Sequence, residues 1–234
     1  EGRGSLKDYL SYGGGVDSTA LMLFLKYVEK ISFEAIFVDT GCEKPETIDY
    51  VKMINTKVHP VTTLIPNFEG SQSLYDHCKK KNIIPSMCNR WCTGKAKIST
   101  MRKYMERPCN VHIGIGWYEK ERIAEKTFPK GITPKYILER EGYTRQDCIS
   151  LIQDYKLPVP IKSSCFICPF MKKKEVKQLW VNHPDLVMQA SELEKTCKYD
   201  TYIVGHKPIL SYVPYKTRRL IECENNNPHI NKAK

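Results

Sequence analysis

A run of three glycines, Gly13 to Gly15, joins a segment that alternates like a β-strand to a segment with the apolar spacing of a helix. Glycines at such a junction let the backbone turn sharply and direct several N–H groups at one point. The positive end of the following helix adds to the attraction of that point for an anion. The junction therefore predicts a phosphate-binding loop, with a flexible turn as the alternative.

The residues after the glycines narrow the type of loop. No Gly-Lys-Ser/Thr follows them, which argues against a P-loop kinase or GTPase. Asp17 stands where the helix of a dinucleotide-binding motif needs a small residue. The remaining interpretation is a loop in which Asp17 and Ser18 open the helix while the glycines hold a triphosphate.

Strand-like and helix-like segments alternate over the first half of the chain, which predicts an α/β fold with a doubly wound, mostly parallel sheet. Ligands of such sheets bind beyond the carboxyl ends of the strands. Three loops follow strand ends here, at 13–18, 39–41 and 114–122, and we expect them to converge on one crevice. The predicted strands are Leu6–Tyr12, Phe33–Val38, Val58–Leu64 and Val111–Ile115, and the predicted helices are Ser18–Lys30, Thr47–Ile54 and Ile98–Met105.

The pattern changes at Pro134, so we predict an α/β domain at 6–133 and a helical, basic extension at 134–234. The extension should contain a helix at Tyr143–Asp154 with Thr144 as its N-cap. A helical pair, Lys174–His183 and Asp185–Lys198, is divided by a proline. The tail interleaves aromatic residues and cations, which suits stacking on nucleic-acid bases, although a loosely packed tail has the same composition. These tail residues are Tyr212, Tyr215, Lys216, Arg218 and Arg219.

The chain is strongly basic, with 37 Lys and Arg against 26 Asp and Glu and a formal net charge of +11. Basic clusters at Lys79–Lys81, Lys172–Lys174 and Lys216–Arg219 suit a polyanionic partner, nucleic acid above all. The alternative is that these lysine-rich clusters only keep the protein soluble. The longest apolar run, Ala20–Leu25, is too short to cross a bilayer, and no signal peptide is visible. Ten cysteines without such a signal indicate a reducing, cytoplasmic location.

Two closely spaced cysteine pairs, Cys88 with Cys92 and Cys165 with Cys168, provide four candidate metal ligands. The two pairs are much farther apart than those of a zinc ribbon. A metal on all four thiols would therefore tie the C-terminal extension back to the α/β domain. The residues leave open a structural zinc ion, an iron–sulfur cluster and free buried thiols. The proline after Cys168 is typical of ferredoxin-type cluster ligation.

Two segments resemble known nucleotide-binding signatures. Ser11–Ser18 is similar to the SGGxDS loop of the N-type ATP pyrophosphatases, the PP-loop superfamily, with Gly13 in place of the first serine. Phe37–Gly41, followed by Pro45-Glu46-Thr47, resembles the signature of the phosphoadenylyl-sulfate (PAPS) reductase family. The resemblance spans roughly residues 6–170 and implies an adenine nucleotide alpha hydrolase-like fold.

A third segment is similar to the Gly-Ile-Arg…Glu-Ser…Arg stretch of that family. It contains Gly114, Ile115, Glu119 and Arg122, while Gly116 replaces the family's first arginine. By analogy Asp39 would lie near the ribose or adenine and Arg122 near the phosphates, although a buried, structurally paired Arg122 is the alternative. The nucleotide-binding residues so implied are Tyr12, Gly13, Gly14, Gly15, Val16, Asp17, Ser18, Asp39, Thr40, Gly41 and Gly114.

The predicted ligands are ATP and Mg²⁺, and Asp17 is the carboxylate that we expect near the metal. Arg90 and Lys95, which lie between the cysteine pairs, have the charge to contact phosphates. The predicted catalytic set is therefore Asp17, Arg90, Lys95 and Arg122. Cys42 follows the Asp39–Gly41 turn and suggests a relay thiol, but the sequence gives it no activating base.

The PAPS reductase family contains sulfonucleotide reductases and also ATP pyrophosphatases that activate a substrate for sulfur insertion. The sulfur-inserting members carry a [4Fe–4S] cluster on cysteines, so the resemblance favours that cluster over Zn²⁺ at Cys88, Cys92, Cys165 and Cys168. The resemblance is strongest in character to the enzymes of DNA phosphorothioation. It implies an enzyme that adenylates a nucleic acid, DNA more than RNA, releases pyrophosphate and receives sulfur from a cysteine desulfurase.

Three alternatives stay open. A sulfonucleotide reductase would need Cys223, since Glu222-Cys223 is similar to the start of the reductases' terminal Glu-Cys-Gly-Leu-His segment. A tRNA-thiolating enzyme would share the pyrophosphatase step. A non-catalytic nucleic-acid-binding subunit would bind DNA in a salt-sensitive manner without cleaving ATP. The oligomeric state, including a homo-oligomer, is also open.

Overall fold

The computed structural model describes residues 6–87, 91–124, 128–199 and 201–214. Its strands are β1 (Lys7–Ser11), β2 (Glu34–Val38), β3 (Val61–Leu64), β4 (Cys109–Ile113) and β5 (Ile132–Lys135). They form one parallel sheet in the order β3-β2-β1-β4-β5. The strand order reverses between β1 and β4, and such a switch point opens a crevice at the carboxyl ends of the strands. The predicted α/β, doubly wound fold is confirmed.

Helices follow most of the strands. α1 (Val16–Leu23) continues into a π-helical turn at Phe24–Val28, and α4 (Ser99–Tyr104) is preceded by a π-helical segment at Cys92–Ile98. Short 3₁₀ turns lie at Trp117–Glu119 and Ile209–Tyr212. The remaining helices are α2 (Pro45–Lys57), α3 (Leu74–Lys81), α5 (Glu121–Ala124), α6 (Ile137–Arg140), α7 (Arg145–Asp154), α8 (Lys173–Asn182) and α9 (Pro184–Thr196).

The predicted helix ends of the C-terminal part agree well with the structure. Thr144 caps α7: its hydroxyl accepts from the amide of Asp147 at 3.3 Å, and the Asp147 carboxylate accepts from the amide of Thr144 at 2.8 Å. This reciprocal pair is a capping box. Pro184 separates α8 from α9 and occupies the first position of α9, where its missing N–H costs nothing.

Several elements differ from the prediction, including the one-turn helices α5 and α6, which the sequence does not predict. β3 begins at Val61 rather than Val58, because the amide of Val58 still bonds to the carbonyl of Ile54 at the end of α2. β5 is not predicted from the sequence, since Pro134 suggested a break; an edge strand tolerates a proline that cannot donate to the ladder. α3 is not predicted either, and it starts with Ser73 accepting from the amide of Asp76.

Both faces of the sheet are covered, as a parallel sheet requires. Neighbouring residues of β1 point to opposite faces: Leu10 packs with α1, α2 and α7, while Tyr9 packs with Met101 and Met105 around α4. Leu10 and Tyr9 are both fully buried. The sheet therefore has two hydrophobic layers that hold its strand ends in fixed positions.

The chain divides into two compact units, Glu1–Phe68 with Thr93–Ser164, and Glu69–Cys92 with Cys165–Lys234. These units differ from the domains predicted at 6–133 and 134–234. Residues 134–164 join the first unit because β5, α6 and α7 complete its sheet and core. Residues 69–92 join the second unit with α8 and α9. Among the helices of the described residues, none is long and apolar enough to cross a membrane.

Candidate functional site

The glycine loop directs two backbone N–H groups at one oxygen atom. The amides of Gly13 and Gly15 donate to the hydroxyl of Ser18 at 3.2 and 3.3 Å, and that hydroxyl donates to the carbonyl of Gly15 at 3.1 Å. The loop ends at the N-terminus of α1, where unpaired amides and the helix dipole attract negative charge. The arrangement is a cradle for an oxygen-rich anion such as a phosphate.

Gly14 is needed for this loop on two grounds. Its φ of +68° lies in the left-handed region that glycine adopts without strain. A Cβ atom at this position would also lie 3.0 Å from Val51 and 3.1 Å from Thr47 on α2. Tyr12 and Val16, which the sequence predicts as nucleotide-binding, have buried side chains, so they offer a ligand their backbone alone.

Asp17 is held by two donors from later parts of the chain. Arg145 lies 2.9 Å from one carboxylate oxygen, and the hydroxyl of Tyr118 donates to the other at 2.8 Å. The Asp17 side chain is 16% exposed and that of Arg145 is 43% exposed, so the carboxylate is largely covered while the guanidinium still reaches solvent. Burial, followed by the bond to Asp17, raises the pKa of Tyr118 and keeps it a donor. Arg145 and Tyr118 thus place a cation and a hydroxyl beside the glycine loop, and the sequence did not predict either.

The turn after β2 is organised by a buried carboxylate that the sequence also did not predict. Glu43 accepts from both the amide and the hydroxyl of Thr40 at 2.8 Å and from the amide of Cys42 at 3.3 Å. Gly41, with φ of +70°, donates to Asp39 at 2.8 Å. The predicted residues Asp39, Thr40 and Gly41 therefore form one hydrogen-bonded turn at the end of β2.

Lys97 balances the charge of Glu43. Its ammonium lies 3.0 Å from Glu43, whose side chain is 2% exposed. Burial alone would raise the pKa of Glu43, but Lys97 and the bonds to the turn lower it. Burial, with a contribution from Glu43, raises the pKa of the neighbouring Asp39. The sequence signal that could have identified Glu43 is an acidic residue two positions after a turn glycine, Gly41.

The end of β4 approaches the glycine loop closely. A Cβ atom at Gly114 would lie 2.9 Å from the amide nitrogen of Ser18, so only glycine fits between β4 and α1. Gly116 is equally confined, because its Cβ would lie 2.7 Å from the ring of Tyr118 and 3.0 Å from the carbonyl of Tyr143. This crowding leaves no room for a larger side chain at position 116 while Tyr118 keeps its place.

The other predicted cations are less closely tied to the loop. Arg122 forms an ion pair with Glu119, and its side chain is 45% exposed, so it is paired but not buried. Lys95 is exposed on the π-helical segment before α4. Arg90 lies outside the described residues. The structure thus unites the glycine loop, Asp17 and Gly114, places the Asp39 turn at the next strand end, and leaves the roles of Arg122, Lys95 and Arg90 as predictions.

The predicted cysteine ligands Cys92, Cys165 and Cys168 belong to the second unit and are half-buried. The amide of Cys168 bonds to the carbonyl of Cys165 at 3.1 Å, which closes a tight turn between these two thiols. Cys88 lies outside the described residues. Across the described ranges, no three His, Cys, Asp or Glu side chains form a group that could hold a metal. The four-cysteine site stays a prediction.

Two further thiols of the second unit were not predicted. Burial raises the pKa of Cys78 on α3 to about 12, and the charges of Cys92, Cys197 and Cys165 add to that shift. Cys78 therefore lies within electrostatic range of Cys197 and of two predicted ligand cysteines. Their spacing in sequence carries no signal of this, because α3 and α9 bring them together only in the folded unit. Cys42, the suggested relay thiol, is fully buried in the first unit.

Two relatives of this chain have no assigned activity. An uncharacterized protein of Methanocaldococcus jannaschii is 29% identical over 98 residues, which cover 42% of this chain and 22% of that protein. The chain therefore matches about a fifth of the length of this archaeal relative. An uncharacterized nin region protein of Escherichia phage lambda is 22% identical over 198 residues, covering 73% of this chain and 67% of the phage protein.

Two solved structures are also similar. A PAPS reductase from Candida auris in complex with phosphate has a TM-score of 0.47 at 16% identity, over 66% of this chain and 75% of its own. The U34-tRNA thiolase NcsA from Methanococcus maripaludis, with its [4Fe-4S] cluster, has a TM-score of 0.45 at 16% identity, over 89% of this chain and 80% of its own. The sequence profile of the phosphoadenosine phosphosulfate reductase domain matches residues 8–127, and the protein belongs to that family.

Proposed function

We propose that this protein is an ATP pyrophosphatase that adenylates a nucleic-acid backbone phosphate, of DNA above all, and so prepares it for sulfur insertion. The observation that carries the proposal is the convergence of the Gly13 and Gly15 amides on one oxygen at the start of α1. Such a cradle suits the two terminal phosphates of ATP, which leave together as pyrophosphate. Membership of a family that acts on adenine nucleotides supports ATP as the ligand.

In the proposed first step, an oxygen of the acceptor phosphate attacks the α-phosphorus of ATP. The bond from that phosphorus to the bridging oxygen breaks, and pyrophosphate leaves with its negative charge. This step requires orientation and charge stabilisation rather than a covalent enzyme intermediate. The amides of the loop would hold the leaving phosphates, and Arg145, held by Asp17, provides a cation beside them. In the second step, sulfur attacks the phosphorus of the acceptor and AMP leaves with the adenylated oxygen. The sulfur comes from the persulfide of a cysteine desulfurase, after a dithiol reduces it by two electrons to the sulfide level.

The donor set of the first unit fits Mg²⁺, which binds oxygen ligands and the phosphates of ATP. Asp17 at the start of α1 and Asp39 at the end of β2 are the candidate carboxylate ligands, and each already accepts a hydrogen bond from the protein. When bound, the ion would neutralise charge on the phosphates. The thiols of the second unit have the chemistry for a [4Fe–4S] cluster. Among the described residues, these thiols form no three-ligand group.

Two surface features support a nucleic-acid substrate. The formal net charge of +11 favours a polyanion. Trp117, which follows β4 beside the site, is 47% exposed, and the ammonium of Lys120 lies 4.3 Å from the centroid of its ring. An exposed ring with a cation at its face offers stacking for a base and charge for a backbone phosphate.

The products of ATP cleavage test the proposal. The purified protein is incubated with Mg²⁺, α-labelled ATP and DNA, and the products are separated by chromatography. We expect DNA-dependent release of pyrophosphate, measured by a coupled assay, with the label transferred to DNA as adenylate and recovered as AMP where water or sulfur displaces it. Release of ADP and inorganic phosphate would contradict the pyrophosphatase reaction. With a desulfurase, cysteine and a dithiol added, mass spectrometry of nuclease-digested DNA should detect phosphorothioate linkages. If thiolated nucleosides form in tRNA and no linkages form in DNA, the substrate is RNA and not DNA.

The family description favours one second candidate, a sulfonucleotide reductase. That reaction needs a nucleophilic cysteine, for which Cys223 is the candidate, and Cys223 lies outside the described residues. The protein is supplied with PAPS and a dithiol reductant, and sulfite is measured. Sulfite release that disappears in Cys223→Ser would establish the reductase; unchanged release in that variant would remove Cys223 from the mechanism.

A further inference from the structure

The glycine loop lacks one hydroxyl that its counterpart in the SGGxDS pattern has, because Gly13 stands at that position. The structure places another hydroxyl against the same loop. A Cβ atom at Gly15 would lie 2.7 Å from the Oγ of Ser163 and 3.6 Å from its Cβ. Ser163 belongs to the extended segment after α7, in the same compact unit as the loop. Gly15 therefore lets this segment approach the phosphate cradle closely.

Other hydroxyls beside the loop have unused hydrogen-bonding capacity. Thr47 is 2% exposed and packs against Gly14, yet its Oγ1 atom has no hydrogen-bond partner among the described residues. The same holds for the buried Oγ of Ser164, the residue after Ser163. Buried polar groups are nearly always satisfied by protein, water or ligand. A buried, unsatisfied hydroxyl on a residue that packs against the loop, such as Thr47, leaves a donor for a ligand that is rich in acceptor oxygens.

We propose that Ser163 is a phosphate-contact residue of this site and supplies the hydroxyl that Gly13 does not. It donates to an oxygen of the two terminal phosphates of ATP, and it thereby distinguishes ATP and pyrophosphate from AMP. This inference rests on the proposed ATP-binding function. It adds a residue from outside the glycine loop, more than 140 positions later in the chain, to the group that recognises the leaving phosphates.

Equilibrium binding of three probes tests this assignment without turnover. Inorganic pyrophosphate, α,β-methylene-ATP and AMP are titrated calorimetrically into the wild-type protein and into Ser163→Ala. We expect binding of the first two probes to weaken about tenfold, the effect of one hydrogen bond to a charged group, and AMP binding to stay unchanged. Ser163→Thr should retain most of the affinity because it keeps the hydroxyl. Ser211→Ala, which removes an exposed hydroxyl from the other unit, is the matched control.

A double-mutant cycle with Gly15→Ala tests the contact itself. The added methyl group should turn the Ser163 hydroxyl away from the loop, since 2.7 Å is too short for a contact with carbon. Gly15→Ala should therefore weaken pyrophosphate binding in the wild-type background and have much less effect in Ser163→Ala, where the nearest atom lies 3.6 Å away. Thermal unfolding of each variant shows whether the fold is intact.

The outcomes separate this inference from the proposed function. If Ser163→Ala binds pyrophosphate as well as the wild type does, or loses AMP affinity equally, the inference is wrong even when the protein cleaves ATP to pyrophosphate. If Ser163 is required for pyrophosphate binding but ATP yields ADP, the inference stands and the proposed reaction is wrong. A wild-type protein that binds neither pyrophosphate nor the ATP analogue overturns both.

Discussion

The glycine loop of the first unit and the thiols of the second unit illustrate two ways of building a site. The loop is local. Its cradle atoms come from Gly13, Gly15 and Ser18, which all lie in the six-residue junction 13–18 between β1 and α1. The thiols are dispersed: the predicted ligands Cys88, Cys92, Cys165 and Cys168 come from two segments that lie far apart in the sequence. A local site can be predicted from a short run of consecutive residues, whereas a dispersed site depends on how the whole unit folds.

We expect the largest effect on activity from breaking the ion pair between Asp17 of the glycine loop and Arg145 of α7. Asp17→Asn keeps the shape of the side chain but removes the charge that holds Arg145. We expect the rate of pyrophosphate release to fall about 100-fold, since misplacement of a positioned cation costs that much. Asp49→Asn is the matched control, because Asp49 is 75% exposed and, among the described residues, its one ion pair is with Lys52 on α2.

Unchanged release by Asp17→Asn would show that the loop works without its tie to α7, and the site would then be local in function as well as in sequence. Arg145→Lys sharpens the result. It keeps the positive charge but loses the planar donor geometry, so an intermediate loss of activity is expected.

The dispersed site is tested by its metal content. Anaerobically purified protein should contain iron and acid-labile sulfide, and both should fall severalfold in Cys92→Ala and Cys165→Ala. Cys42→Ala, a buried cysteine of the first unit, should keep the wild-type content. Stoichiometric zinc in a colourless sample would show that the site holds a structural zinc ion and not an iron–sulfur cluster. If both variants retained their iron, Cys92 and Cys165 would not be ligands of the cluster.

The fit between β4 and α1 should dominate stability in the first unit. Gly114→Ala places a methyl group 2.9 Å from the backbone of Ser18, which cannot turn aside as a side chain would. We expect a loss of about 3 kcal/mol, the upper end for overpacking, and a Tm lower by about 10 °C. Gly94→Ala has open space around its Cβ and a helical environment, so its Tm should not fall. Equal Tm values for the two variants would contradict this close packing.

The sequence predicts the sheet and the glycine loop because both depend on short patterns. Alternation of strands and helices located four of the five strands of the described sheet, and the glycine run located the cradle. The edge strand β5 was missed because Pro134 is unfavourable in most strands, though not at an edge. Helix α3 was missed because its eight residues carry three lysines and few apolar positions.

The supporting residues of the site could not be predicted in the same way. Arg145 and Tyr118 reach Asp17 from positions 128 and 101 residues away, and no local pattern encodes such pairing. Ser163 is likewise placed by the path of the segment after α7. Lys97 likewise neutralises the buried Glu43, although 54 residues separate the two in the sequence. In each case the cause is a tertiary contact that leaves no periodic signal.

The smallest predicted effect concerns this last pair and has a definite dependence on pH. In the wild type the pKa of Glu43 is lowered, so the pair stabilises the fold above the ordinary pKa of a glutamate, and this stability is lost as the pH falls through the lowered value. In Lys97→Met burial is no longer opposed, and the pKa of Glu43 should rise above that of the unfolded chain. The variant should therefore lose stability as the pH increases.

Urea unfolding of Lys97→Met at about pH 5 and about pH 8 measures this effect. We expect a loss of about 2 kcal/mol at the higher pH, less than for a fully buried pair because Lys97 is 38% exposed, and a smaller loss at the lower pH, where Glu43 takes up a proton. Lys95→Met, an exposed lysine of the same π-helical segment, should change stability little at either pH. A loss of equal size at both values would mean that Lys97 acts by packing, and the turn at Asp39 would then not depend on a tertiary charge pair.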